Sequence, residues 1–172
     1  MKMIKRVFQF FCLFLFLIAA IYLLMPSPNE PPPLPNSIKS TEPGDTVEIP
    51  GLFAYYTNMS RSDVLSFYQN NFTHSRLFNF PLITYRLNHP PEDTWTVIRD
   101  TVHSSYLEEL VHPLRESWYI NGYEPVNDPF TKGTKFGNFN FNGQEYTAKI
   151  TVLKKESNPV FRVTIFTFIV VC

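Results

Sequence analysis

Apolar residues fall into three regimes along this chain. The first is unbroken: Val7 to Met25 reads VFQFFCLFLFLIAAIYLLM, nineteen residues without a charge. At about 1.5 Å per residue a helix of this length spans about 28 Å, close to the hydrocarbon thickness of a bilayer. Lys2, Lys5 and Arg6 precede it, and the first charges after it are Glu30 and Lys39. A basic flank stays on the cytoplasmic side. The pattern therefore predicts a cytoplasmic stub over 1–6, a single-pass transmembrane helix over 7–25, and the rest of the chain outside. A cleaved signal peptide would need a shorter apolar core and a small-x-small site, and Ile18 spoils such a site before Ala20. The helix is expected to remain as a signal-anchor.

The second regime has no periodicity. Pro26 to Pro35 reads PSPNEPPPLP. Proline lacks an amide donor and fixes φ, so this stretch predicts an extended tether over 26–45. The third regime, 46–172, mixes helical and alternating patterns. A strand is expected from Thr46 to Thr57, firmest over Leu52–Tyr56. A helix follows, capped by Ser60 or Ser62, with Asp63 in its first turn and Val64, Leu65, Phe67, Tyr68 and Phe72 at helical spacing. A second strand is expected over Pro81–Leu87, and a second helix after Pro90-Pro91 with Trp95, Ile98 and Val102 as its apolar stripe. Alternation from Leu114 through Glu116, Trp118 and Ile120 predicts a strand that turns at Asn121-Gly122. Asn142-Gly143 is the strongest hairpin signal. Glu145–Lys154 alternates again. Val160–Val171, almost all β-branched or aromatic, reads as an interior strand buried on both faces; it is too short to cross a membrane. The fold class is α+β: an N-terminal transmembrane helix plus one small domain with two helices packed on a mostly antiparallel sheet.

Charge changes the picture by exclusion. Fifteen basic and fifteen acidic residues balance, so nothing draws the chain to nucleic acid. The two cysteines, Cys12 and Cys172, lie in the apolar helix and at the last position, and no disulfide is expected to brace the outer domain. No phosphate-binding glycine loop, nucleophile elbow or paired-cysteine metal motif is present. No cofactor is expected.

The densest polar cluster is Arg99, Asp100, His103, Glu108, Glu109, His112, Arg115 and Glu116. Imidazole and carboxylate groups at this density suit a metal ion, with His103, Glu108, Glu109 and His112 as candidate ligands, or an acid–base pair such as Glu109 with His112. The same residues equally suit salt bridges on solvated strand edges. If the segment is extended, Glu108 and His112 share a face; if helical, Glu109 and His112 are neighbours. Aromatic residues Tyr55, Tyr56, Trp95, Trp118, Tyr119 and Tyr123 suit either core pairing or stacking on a sugar. Arg99, Arg115, Trp118, Tyr119 and Tyr123 are the candidate binding residues.

The stretches YYTNMSRSDVLSFYQNNF and RLNHPPEDTWTVIRDTVHSSYLEELVHPLRESWYINGYEP, within about residues 55–125, resemble small bacterial single-pass, membrane-anchored envelope proteins. Those consist of one N-terminal anchor, a Pro-rich tether and one outer domain. The resemblance implies an envelope setting and carries no activity or catalytic residue. The expected function is a membrane-tethered, extracytoplasmic module, bound to the bilayer through Val7–Met25, that contacts an envelope protein without catalysis. Two alternatives stand beside it: a metal-binding protein or hydrolase using the His103–Glu116 cluster, and a cell-wall or glycan binder using aromatic rings.

Overall fold

A computed structural model describes residues 2–27, 29–43, 45, 49–73, 82–93, 104–127 and 138–171. The chain divides into two compact units, one built from residues 1–27 with 157–172 and the other from residues 28–156.

The larger unit is α+β. Its six-stranded antiparallel sheet comprises β1 (Ile38–Lys39), β2 (Leu52–Thr57), β3 (Tyr85–His89), β4 (Tyr106–His112), β5 (Glu116–Tyr123) and β8 (Ala148–Glu156). The strand order is β1-β2-β8-β5-β4-β3. Between β2 and β3 lies helix α2 (Arg61–Thr73). Ser60 caps it as the sequence suggests: its Oγ accepts the Asp63 amide at 3.2 Å and donates to the Asp63 carboxylate at 2.7 Å. Val64, Leu65, Tyr68 and Phe72 form its buried face. They pack on Phe53, Tyr55, Leu110, Trp118, Ile120, Ile150 and Val152, all on one face of the sheet. Leu52, Leu107 and Leu153 form a smaller apolar cluster on the opposite face. Strands β6 (Phe139–Phe141) and β7 (Gln144–Tyr146) form a separate hairpin. Asn142 and Gly143 close it with φ of 52° and 78°, as a turn with two left-handed residues requires. Its rings dock on that opposite face, Phe141 stacking on Tyr56 at 4.7 Å.

Several expectations need correction. The proline-rich segment joins the fold before Asp45. Leu34 is 3% exposed and belongs to the main core, and Ile38–Lys39 pairs with β2. Composition concealed this because one buried leucine and two paired residues suffice to anchor an otherwise extended stretch. Asn121-Gly122 is not a turn; both residues lie inside β5. Gly122 is needed there because the Tyr106 ring lies across it, as taken up below. The strand expected to begin at Leu114 begins at Glu116, and Tyr106–His112 is itself a strand. The second helix is present among the described residues only as a 3-10 turn, Pro91–Asp93. Its expected apolar stripe, Trp95, Ile98 and Val102, lies outside them, as does Pro81.

The β4–β5 connection is a tight turn closed by the Arg115 amide to the His112 carbonyl at 3.0 Å. Pro113 followed by Leu114 at φ 65° matches a type II turn, which favours glycine at the second position. Left-handed backbone costs a leucine about 1–2 kcal/mol, more than the roughly 0.5–1 kcal/mol entropic cost of glycine. Leu114 is 75% exposed, so little packing is lost on truncation. Leu114→Gly should therefore stabilise the protein by roughly 0.5–1 kcal/mol. A thermal melt showing an unchanged or lower midpoint would refute this.

The largest correction concerns 160–171. This segment is a helix, α3 (Pro159–Val171), and it belongs to the smaller unit together with α1 (Lys2–Leu24). Its start is coded by Asn158-Pro159. The Asn158 Oδ1 accepts the Val160 amide at 2.8 Å, its carbonyl accepts the Arg162 amide at 3.1 Å, and proline occupies the first helical position. β-Branched composition is a weak guide beside such a cap, because strand preference largely reflects burial against neighbouring strands. Helix α1 contains a 22-residue span, Met3–Leu24, long and apolar enough to cross a membrane; its length and position also fit a signal sequence.

Candidate functional site

Strand alternation sorts the polar cluster. In β4, Glu108 and His112 face α2, whereas Glu109 faces the other way. Glu109 therefore meets neither of them. Glu108 and His112 share a face, but four residues of strand separate them by about 13 Å, with Leu110 between. Each instead has its own partners. Among the described residues no group of three His, Cys, Asp or Glu side chains is placed to hold a metal ion. Arg99, Asp100 and His103 lie outside the described residues.

Glu108 is fully buried. Asn88 Nδ2 donates to it at 2.6 Å, Arg86 Nε at 3.2 Å, and Arg61 Nη2 from α2 completes the set. Burial alone would raise its pKa, but the hydrogen bonds from Arg86, Arg61 and Asn88 outweigh that and hold it below the ordinary carboxylate value. The Arg61 guanidinium also lies over the Tyr106 ring, 4.9 Å from its centroid. This arrangement ties the start of α2 to β3 and β4.

His112 is buried at the far end of β4. Its Nδ1 is 3.0 Å from Glu116 Oε1, an oxygen that also lies 3.6 Å from the Arg115 guanidinium. The imidazole stacks on Phe72 at 3.8 Å with an 11° interplanar angle. His112 Nε2 has no hydrogen-bond partner among the described residues. A histidine–carboxylate pair can shuttle a proton, but Phe72 covers this ring and the pair is buried on both members.

On the opposite face, His89 Nε2 is 3.0 Å from Glu109 Oε2. Burial, with Glu109 accepting its hydrogen bond, pushes the Tyr119 hydroxyl up to about 12. Tyr119 therefore stays protonated across the physiological range, and Tyr123 packs edge-on against Phe139 at 5.6 Å. A third group ties residues 40–45 to the sheet. Lys149 Nζ reaches Asp45 at 2.9 Å and Glu42 at 3.1 Å, while the Tyr56 hydroxyl donates to Glu42 at 2.5 Å.

Among the aromatic candidates, Trp118 is wholly buried beneath Tyr68 and Phe72, with centroids at 6.2 and 4.9 Å. It is a core ring, not a stacking platform. Tyr55 and Tyr56 are buried as well, and Arg115 is buried beside Glu116. Tyr119 and Tyr123 are half-buried. Arg61, Arg86, Asn88 and His89 were not legible as partners in the sequence. Their alternation places Arg86 and Asn88 on one face, but only the β3–β4 register brings that face to Glu108.

Comparison with family models, with curated proteins and with solved structures finds no match.

Proposed function

We propose that the protein is a membrane-anchored module that holds a non-catalytic α+β unit on the outer side of the membrane, where it contacts an envelope protein. The observation that carries this reading is the 22-residue apolar span Met3–Leu24 within α1, whose large side chains, among them Phe8, Phe10, Phe14 and Ile21, are exposed. An uncompensated apolar surface of this size suits lipid and not water. The basic residues Lys2, Lys5 and Arg6 favour a cytoplasmic N-terminus. Partner contact is favoured by β3. Among the described residues this edge strand pairs on one side only, and Ile83, Tyr85 and Leu87 are exposed on and beside it. An open edge with apolar side chains is suited to receive a strand from another chain.

One experiment tests both parts in intact cells. In a Cys12→Ser, Cys172→Ser background, Glu145→Cys should react with an impermeant maleimide before lysis, and the labelled protein should stay in carbonate-washed membranes at full-length mass. A photo-crosslinking residue at Leu87 should capture an envelope protein. Labelling only after lysis, or a mature chain starting after Ala20, defeats the anchor. Recovery of uncrosslinked protein alone, under several growth conditions, defeats the partner reading.

A further inference from the structure

We infer that α3 is a second lipid-inserting element, dipping beside α1 into the outer part of the same bilayer without crossing it. This rests on α1 being a membrane helix. The two helices are paired: Phe16 and Phe166 stack with centroids 5.3 Å apart, and the Arg162 guanidinium donates from Nη1 to the Leu23 carbonyl at 3.0 Å. Phe16 lies eight residues before Leu24, about 12 Å of helix, and Phe166 lies seven residues after Pro159, about 10 Å. Moving forward along α1 from Phe16 to Leu23 corresponds to moving back along α3 from Phe166 to Arg162, so the pair is antiparallel. Where α1 leaves the bilayer, α3 therefore enters it.

The chemistry of α3 fits that path. Val160, Phe161, Ile165, Phe168 and Ile169 are 57–72% exposed, a continuous apolar surface with no protein over it among the described residues. An open apolar groove lined by Leu24, Val160, Val163 and Phe168 carries the surface of α1 over to α3. The only charge in the helix is Arg162, in the first turn. There it binds a carbonyl of the last turn of α1, which has no intrahelical partner, and a guanidinium at that level can reach the water boundary. Deeper in, the Thr164 hydroxyl donates to the Val160 carbonyl at 2.8 Å, so this polar group enters lipid already satisfied. Thirteen residues reach about 20 Å, against a core of about 30 Å, so α3 enters and stops short of the far side.

The test uses the full-length chain in the Cys12→Ser, Cys172→Ser background. Single cysteines at Ile165, Phe168, Phe14 and Glu145 are labelled with bimane, and each protein is reconstituted into phosphatidylcholine–phosphatidylglycerol vesicles. Doxyl groups on the acyl chains should quench Ile165→Cys and Phe168→Cys several-fold more than Glu145→Cys, while aqueous iodide quenches only the last. Iodide quenching of both α3 positions at the Glu145→Cys level overturns the inference. Shielding from both quenchers also overturns it, because a second copy would then cover the helix. Phe14→Cys separates the two readings. If it is quenched from lipid while α3 is not, only the insertion fails; if it is not, the anchor fails and the insertion with it.

Discussion

Glu108→Gln should lower the stability of the protein by about 3 kcal/mol at neutral pH, the low end of what breaking a buried ion pair costs. The low end applies because Arg61 and Arg86 are 44% and 43% exposed and regain water when the carboxylate is lost. Glutamine keeps the shape and one acceptor oxygen, so the loss reports charge and not a cavity. The pH dependence gives a second check. Glu108 binds its proton less readily in the folded chain than in the unfolded one, so its contribution is full above the ordinary carboxylate value of 4.5 and fades as pH falls below it. Urea unfolding of the detergent-solubilised chain should show the two proteins far apart at neutral pH and converging in acid. A gap that stays constant from neutral to acid pH would show that the network does not act through its charge. Arg61→Ala should cost less than Glu108→Gln, since Arg86 and Asn88 still hold the carboxylate.

Gly122→Ala is expected to destabilise by about 2 kcal/mol through overpacking. A Cβ built at Gly122 would lie 2.1 Å from Tyr106 Cε1, 2.2 Å from Cζ and 2.6 Å from the hydroxyl. Tyr106 sits directly opposite in the β4–β5 register and is 3% exposed, so its ring has nowhere to swing. The control is a pair of double variants. Tyr106→Leu removes all three clashing atoms, so Gly122→Ala should cost much less in that background. Tyr106→Phe removes only the hydroxyl and should leave the penalty almost intact. Equal penalties in the wild-type, Phe and Leu backgrounds would mean that the ring is not the obstacle.

The same glycine shows where sequence reasoning succeeds and fails. Asn142-Gly143 and Asn121-Gly122 carry the same local signal, yet one is a turn and the other is mid-strand. What differs is a residue sixteen positions away, Tyr106, whose ring needs the vacancy. Local signals worked where local forces dominate: the Ser60 cap, the apolar face of α2 and the Glu116–Trp118–Ile120 alternation. They failed at Leu34, which is buried in a core cluster made of residues distant in sequence. They failed at α3 because apolar, β-branched composition does not distinguish a strand between two strands from a helix beside another helix. The polar cluster divided for a similar reason. Adjacent glutamates look like a site in one dimension, but a strand points them to opposite faces.

The two-residue strand β1 has a mechanical consequence. Two segments join the sheet to the smaller unit: residues 28–37 meet it at its shortest strand, and residues 157–158 leave it directly from the end of β8, so tension along 28–37 falls on β1. There Ile38 and Lys39 pair with β2, and the Ser40 amide bonds the Ala54 carbonyl at 2.9 Å. Bonds at a sheet edge break one after another under such a load. Every residue freed there lengthens that segment by up to about 3.5 Å, so β1 gives slack on its own side, whereas the two-residue link from β8 gives none.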